Sequence, residues 1–173
     1  MIQNYFSLLN LPENFSVDLA VLDANYRKLQ AEVHPDKFVT ASPAERLKSM
    51  QTATLANEAY QTLKNPTARA RYMLESQGFA TLEESNTSMP ADFLMLQMEW
   101  REAIEDAKFA KDISALDAQL ADMQKMAKTL QKNLGSSLSN KNTYAEAAQT
   151  VRKLSFIDKV SSDVKNIITL LED

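Results

Sequence analysis

The residues best suited to chemistry in this sequence form one tripeptide, His34-Pro35-Asp36. A histidine beside a carboxylate can serve acid–base catalysis, or the carboxylate can accept short hydrogen bonds from a partner's arginine. His34 is the only histidine and cysteine is absent, which excludes histidine-rich metal sites, thiolate zinc sites and a cysteine nucleophile. Because no nucleophile, oxyanion hole or pocket accompanies the tripeptide, we interpret it as a recognition site and expect no catalytic residues.

Composition narrows the class of protein further. The 173 residues are 45% apolar and 24% charged, which is typical of one globular domain or two small ones. Two glycines are too few for a phosphate-binding glycine loop, and a net charge of −4 without a basic run makes nucleic acid a poor partner. Apolar runs are far shorter than the ~20 residues that span a bilayer, and residues 1–6 do not resemble a targeting signal. We therefore expect a soluble protein of a reducing compartment, with no membrane partner.

Periodicity and stop signals predict helices and no strands. We expect helices at about residues 4–9, 18–33, 43–64, 66–77, 90–110, 112–134 and 144–171, with a linker at 79–89. Gly78 and Gly135 are each predicted to follow a helix end. Capping boxes are predicted at Ser42-Pro43-Ala44-Glu45 and Thr143-Tyr144-Ala145-Glu146.

The second and third helices are expected to form an antiparallel hairpin with the tripeptide at its tip. Pro35 disfavours helical geometry at His34, so the chain should leave the helix there. At ~100° per residue, Arg27 and Lys28 fall opposite the apolar stripe of their helix. The stripes expected to pack together are Leu19, Leu22, Tyr26, Leu29 and Val33 with Met50, Ala53, Ala56, Tyr60 and Leu63. Taken singly, the tip histidine, the Pro-Asp turn and the two basic residues are each typical of an ordinary solvated surface.

Taken together, these features resemble a J domain, the module that activates heat-shock ATPase chaperones of the DnaK class. The resemblance covers about residues 2–75 and is carried by Tyr26-Arg27-Lys28-Leu29, His34-Pro35-Asp36-Lys37 and Tyr60-Gln61-Thr62-Leu63. It implies that docking favours the ATP-hydrolysing conformation of the chaperone, with no chemistry done by this chain. The implied chaperone-binding residues are His34, Pro35, Asp36, Lys37, Arg27 and Lys28.

The C-terminal half predicts a three-helix bundle. Apolar residues with heptad spacing form a seam at Ile113, Leu116, Leu120, Met123, Ala127, Leu130 and Leu134. The preceding predicted helix has the same spacing at Phe93, Leu96, Trp100, Ala103 and Ala107. Short loops make the three helices antiparallel neighbours. Residues 79–173 carry eleven basic and fifteen acidic side chains, whereas residues 1–78 carry eight of each, so the whole net charge lies in this half.

One face of the fifth predicted helix is expected to point away from this bundle. With Phe93, Leu96, Trp100 and Ile104 inward, the opposite face carries Leu94, Met95, Met98, Glu99, Glu102, Glu105 and Asp106. Apolar residues rimmed by charge mark a binding surface when they are contiguous, and methionine suits such a surface. Phe156 falls off the stripe of the last helix and is expected to extend the patch. From the pattern alone, binding and packing are equally open for this face.

Three segments of the sequence resemble one family of J-domain proteins in particular, the HscB family. They are Phe93-Leu94-Met95-Leu96-Gln97-Met98-Glu99-Trp100-Arg101-Glu102, Val151-Arg152-Lys153-Leu154-Ser155-Phe156-Ile157-Asp158-Lys159 and Asn65-Pro66-Thr67-Ala68-Arg69-Ala70-Arg71-Tyr72. Members are J-type co-chaperones of iron–sulfur cluster biogenesis that bring the scaffold protein IscU to the chaperone HscA. The resemblance implies scaffold binding by Leu94, Met95, Met98, Glu99, Glu102, Asp106 and Phe156, where Met98 and Asp106 replace the leucine and glutamate of some members. No cofactor or bound metal is expected, and the lack of a cysteine-rich extension favours a bacterial cytoplasmic protein.

The expected fold is all-α, with an N-terminal J domain joined to a C-terminal three-helix bundle. The J domain is expected at 1–78 as a helical hairpin with short flanking helices, the linker at 79–89 and the client-binding bundle at 90–173. Two alternatives stay open at this point: a J-domain co-chaperone for a different client, and a helical scaffold with no link to chaperones.

Overall fold

A computed structural model describes residues 4–81 and 89–173, and these residues form helices and no β-strand. The fold is all-α, as predicted. The α-helices are α1 (Tyr5–Leu8), α2 (Leu19–Glu32), α3 (Pro43–Lys64), α4 (Pro66–Ser76), α5 (Ala91–Phe109), α6 (Ile113–Ser137) and α7 (Tyr144–Glu172). Short 3-10 helices occur at Pro35–Phe38 and Lys141–Thr143.

The chain divides into two compact units, Met1–Tyr72 and Met73–Asp173. Residues 82–88 of the expected linker and the first three residues of the chain lie outside the described residues. The expected domain limits at 78 and 89 therefore stay a prediction.

Helices α2 and α3 form the hairpin of the first unit. Asp18 caps α2 by accepting hydrogen bonds from the N–H groups of Ala20 and Val21. Between the helices, the rings of Tyr26 and Tyr60 stack with centroids 4.1 Å apart, and the hydroxyl of Tyr60 donates to a carboxylate oxygen of Asp23 at 2.6 Å. The core at this interface is built from fully buried small and aliphatic side chains, namely Leu22, Ala56, Ala59 and Leu63.

Two stripe residues of the hairpin are exposed, which corrects the sequence prediction. Leu19 is 49% exposed as the first residue of α2, and Met50 is 61% exposed. Ser49 occupies the inward position next to Met50, where its hydroxyl donates to the carbonyl of Val33 at 2.6 Å. A polar side chain that ties α3 to the end of α2 therefore takes the inward position that the prediction gave to Met50.

Only one of the two glycines ends a helix. Gly78 has a φ of +78°, its N–H bonds to the carbonyl of Glu75, and the N–H of Phe79 bonds to the carbonyl of Leu74. This pair of bonds is a Schellman motif, which needs the left-handed conformation that glycine adopts without strain. Gly135 lies inside α6, which continues to Ser137, so its prediction as a helix end is wrong.

The second unit contains the three long helices of the predicted bundle. Along α6 the heptad seam is buried at Leu116, Met123, Ala127 and Leu134, and half-buried at its other three positions. Helix α7 contributes a buried stripe that includes Val151, Leu154 and Ile157. Helix α5 buries Phe93, Trp100, Ile104 and Ala107, whereas Leu96 is half-buried and Ala103 is exposed. Leu96 and Ala103 are one heptad apart and lie at the edge of the buried stripe. The prediction that Leu96 faces inward is met in part, and the prediction that Ala103 continues the stripe is wrong.

One of the two predicted capping boxes forms. Ser42 and Glu45 satisfy each other's backbone N–H groups at the start of α3. At the start of α7, the hydroxyl of Thr143 donates to the carbonyls of Ser137 and Asn140 at 2.7 and 2.8 Å, and it makes no cap bond to α7. The second predicted box is therefore wrong, because the turn between α6 and α7 uses the same hydroxyl.

Candidate functional site

The tip of the hairpin is formed by residues 34–37, which we call the HPD tip. Helix α2 ends at Glu32, and His34 adopts φ −59° and ψ 135°, the extended geometry imposed by a following proline. Pro35–Phe38 then makes one turn of 3-10 helix, which the sequence analysis treated as loop. All four residues of the HPD tip are exposed, as predicted.

The two ionisable side chains of the HPD tip have different environments. Nδ1 of His34 accepts a hydrogen bond from the backbone N–H of Asp36 at 3.3 Å. The carboxylate oxygen Oδ2 of Asp36 lies 3.6 Å from the same nitrogen. The bond to the backbone N–H ties the imidazole to the turn of the tip. The Asp36 side chain is 89% exposed and its carboxylate is available to an external donor.

Both ends of the HPD tip are fixed by the first unit. The hydroxyl of Ser49 holds the carbonyl of Val33, and the N–H of Lys37 bonds to the carbonyl of His34 at 3.0 Å. Five residues after Lys37, the capping box of Ser42 and Glu45 starts α3. Hydrogen bonds from the backbone and hydroxyl of Ser42 lower the pKa of the Glu45 carboxyl below its usual value. The exposed tip is thus a defined turn between two capped helices.

The basic residues predicted to flank the tip are also exposed. Arg27 and Lys28 lie on the solvent side of α2, opposite the buried Leu22, and Lys37 projects from the tip itself. Three positive charges on the solvent side of one hairpin create a field that attracts an acidic surface.

The hairpin also carries exposed apolar side chains that were not predicted to form a surface. Leu47 is 56% exposed on α3, where Met50 is also exposed, and Val39 is 70% exposed in the connection that precedes this helix. Leu47 and Met50 are three residues apart on α3, so they lie on one face. The signal was present in that spacing, but Met50 was assigned to the core stripe.

The outer face of α5 is the second candidate surface. Leu94, Met95 and Met98 are 45%, 63% and 70% exposed, and they point away from the buried stripe as predicted. The carboxylates of Glu99, Glu102, Glu105 and Asp106 are exposed on the same helix. Exposed apolar side chains are thus placed among acidic ones along one helix.

Phe156 joins α7 to α5. Its ring meets that of Phe93 edge-on at 5.9 Å and stacks on that of Trp100 at 6.3 Å, with 9° between the latter planes. The guanidinium of Arg101 lies 5.7 Å from the centre of the Phe156 ring. Phe156 is half-buried. The aromatic side chain predicted to extend the patch is therefore anchored on the core residues directly beneath it.

The side chains that could ligate a metal ion are dispersed over the described residues. Within residues 4–81 and 89–173, no group of three or more histidine, cysteine, aspartate or glutamate side chains could hold a metal ion. In the same residues, no helix has the length and hydropathy needed to cross a membrane. The chemistry that the described geometry supports is recognition by hydrogen bonds, charge and apolar contact.

Family models match both halves of the chain. A model described as the DnaJ domain matches residues 4–72, and one described as the HSCB C-terminal oligomerisation domain matches residues 89–165. Together they cover both the HPD tip and the outer face of α5.

Whole-length relatives agree with these matches. The chain is 45% identical over 170 residues to a co-chaperone protein HscB homolog of Paraburkholderia phymatum, covering 98% of this chain and 97% of that one. The fold is similar to that of the chaperone HscB from Vibrio cholerae, with a TM-score of 0.84, 38% identity and coverage of 97% and 99% of the two chains. Human co-chaperone protein HscB gives a TM-score of 0.84 at 30% identity, covering 95% of this chain and 81% of the human one.

Proposed function

This chain belongs to the HscB family of co-chaperones, and from that premise we propose that it links two partners. Its first unit would stimulate the ATPase of an HscA-type, DnaK-class chaperone. Its second unit would bind an IscU-type iron–sulfur scaffold protein and so promote cluster maturation or transfer. The observation that carries the proposal is that an exposed HPD tip and an exposed apolar, acidic helix face occur on separate compact units of one chain.

The HPD tip supports chaperone binding by the availability of its groups. The exposed carboxylate of Asp36 can accept hydrogen bonds from an arginine of the ATPase, and such charge-assisted bonds are short and directional. His34 and Pro35 fix the backbone that presents this carboxylate. Arg27, Lys28 and Lys37 would steer an acidic groove of the chaperone toward the tip. Tighter binding to the ATP-hydrolysing conformation than to the other would then accelerate hydrolysis, with no chemistry done by this chain.

The outer face of α5 supports binding of a protein client. Leu94, Met95 and Met98 offer flexible apolar side chains that can adapt to a partner surface. Glu99, Glu102 and Asp106 surround them with negative charge, which suits a partner with basic residues at the rim. Phe156 would add a rigid aromatic edge, since its ring is held by Phe93 and Trp100.

The remaining parts of the proposal concern organisation and location. We assign the J domain to residues 1–78, the linker to 79–89 and the client-binding bundle to 90–173. A relative as similar as the Paraburkholderia co-chaperone supports a bacterial protein, and we place it in the cytoplasm. We expect it to need no cofactor and no nucleic acid.

Co-purification tests the client half of the proposal against its alternatives. The IscU-type scaffold, immobilised, should retain the full chain, whereas an unrelated folded client of DnaK-class chaperones should not. Retention by the unrelated client alone would favour a J-domain co-chaperone with different clients. Retention by neither, together with no effect on any DnaK-class ATPase, would favour a helical scaffold without a chaperone role.

A further inference from the structure

A groove runs between α5 and α7 beside the outer face of α5. Its floor is apolar and consists of the buried Ile104 and Val164 with the half-buried Val160 and Ile167. The groove has a volume of about 480 Å³. That volume lies within the ~300–1,000 Å³ of clefts that take up a ligand group, so the groove can hold apolar side chains of a partner.

Charged residues line the two rims of the groove in the same order. Arg101 and Glu105 are four residues apart on α5, and Lys159 and Asp163 are four residues apart on α7. Two short connections reverse the chain between α5 and α7, so these helices run in the same direction. The basic residue precedes the acidic one on both rims, which gives the groove a basic end and an acidic end.

These charges are available to a partner. Within the described part of the chain, no acidic side chain forms an ion pair with Arg101 or Lys159, and no basic one pairs with Glu105 or Asp163. The four residues are exposed. One end of the groove therefore carries two basic side chains and the other end two acidic ones. A partner segment bound in the reverse direction would place like charges together, which is costly, so the groove favours one direction of the segment.

The groove is continuous with the outer face of α5 through Phe156 and Arg101. Both residues line the groove, and the guanidinium of Arg101 lies over the ring of Phe156. Leu94 precedes Arg101 by seven residues, two turns along α5 on the same side of the helix. A partner that covers Leu94 and Phe156 would reach the basic end of the groove without leaving the surface.

We propose that this groove binds a segment of the scaffold protein that carries an apolar side chain between an acidic and a basic residue. The acidic residue would face Arg101 and Lys159, and the basic residue would face Glu105 and Asp163. The apolar side chain would cover Val160. The inference rests on the proposed function, since it extends the same client surface and adds the element that sets the direction of the bound segment.

Filling the groove tests the apolar part of the inference. The Val160→Phe variant places a phenyl ring over the floor of the groove at a half-buried position. The control Ser162→Phe adds the same ring at an exposed position outside the groove. Titration of each full-length variant with the IscU-type scaffold should give an affinity about tenfold weaker for Val160→Phe, the loss expected for a blocked anchor, and no change for Ser162→Phe. Thermal melting checks that both variants fold.

Reversing the acidic end tests the polarity, and it does so even if Val160→Phe does not fold. The double variant Glu105→Lys, Asp163→Lys should bind the scaffold severalfold more weakly. The matched control Asp117→Lys, Asp122→Lys changes the net charge equally at exposed positions of α6 and should bind like the parent. If the parent binds and the groove variants bind equally well, the groove inference is wrong and the proposed function stands. If the parent does not bind the scaffold, both are overturned.

Discussion

The ring of His34 holds the backbone of Asp36 through a hydrogen bond of 3.3 Å between Nδ1 and the aspartate N–H. The imidazole is thereby tied to the local backbone, while the carboxylate of Asp36 is 89% exposed. Pro35 between them sets the backbone angle that makes this bond possible. The two ionisable residues of the tripeptide would thus support chaperone binding by different physical routes.

Substitutions at the tip should separate activity from stability. Asp36→Asn removes the charge and His34→Gln removes the imidazole, and each should abolish stimulation of the chaperone ATPase. Because both side chains are exposed, the free energy of unfolding should change by no more than ~0.5 kcal/mol. Steady-state ATP hydrolysis and thermal melting measure the two effects. Asp117→Asn, an exposed aspartate of the second unit, is the control and should stimulate like the parent; full stimulation by Asp36→Asn would refute the assigned role of the tip.

Association with the chaperone should depend on salt through the basic face of α2. Arg27 and Lys28 are exposed, so their field is screened over about 8–10 Å at physiological ionic strength. The double variant Arg27→Glu, Lys28→Glu should associate more slowly and with a flatter salt dependence. Stopped-flow association rates over a salt series provide the measurement. Electrostatic steering is contradicted if the association rate of the parent does not depend on salt and the double variant associates equally fast.

Truncation of the apolar side chains on the outer face of α5 should weaken scaffold binding and leave folding stability nearly unchanged. Leu94, Met95 and Met98 are exposed, so the triple alanine variant should melt close to the parent yet lose scaffold affinity, on the order of 1–3 kcal/mol for each anchor. Isothermal titration with the scaffold measures the loss. The comparison variant is Ile157→Ala, which opens a cavity at a fully buried position and should cost ~2–5 kcal/mol of folding stability. A triple variant that folds and binds at parental affinity places the client site elsewhere.

The start of α3 should lose stability in acid through Glu45. Hydrogen bonds from Ser42 lower the pKa of this carboxyl in the folded protein. The ionised carboxylate therefore stabilises the fold above its unfolded pKa, and this contribution disappears as the pH falls through the folded pKa. Denaturant unfolding of the parent and of Glu45→Gln should show a difference in stability near neutral pH that shrinks between about pH 5 and pH 3. A difference that stays constant across that range contradicts the assignment.

Sequence reasoning located the helices well because their boundaries have local causes. Ser42 and Glu45 cap α3 by contacts within one turn, and Gly78 ends α4 through its own backbone angle. Gly135 and Thr143 are similar local signals that do not have the predicted effect in the structure. Helix α6 continues past the glycine, and the threonine hydroxyl is taken by carbonyls of the preceding turn.

The surfaces were predictable to the extent that they follow helical periodicity. The exposed Leu94, Met95 and Met98 could be placed from the spacing of the buried residues on α5 alone. The stacking of Phe156 on Trp100 could not, because these residues are 56 positions apart in sequence and their contact depends on how α5 and α7 are aligned. The exposure of Met50 has the same origin, since the bond of Ser49 to Val33 joins two helices.

The most direct test of the account is single-turnover ATP hydrolysis by an HscA-type chaperone mixed with the full chain. We predict that the chain accelerates hydrolysis, that Asp36→Asn does not, and that the triple alanine variant of the outer face of α5 still accelerates it when no scaffold is present. Failure of the parent chain to change the hydrolysis rate would contradict the central claim that its first unit activates the chaperone.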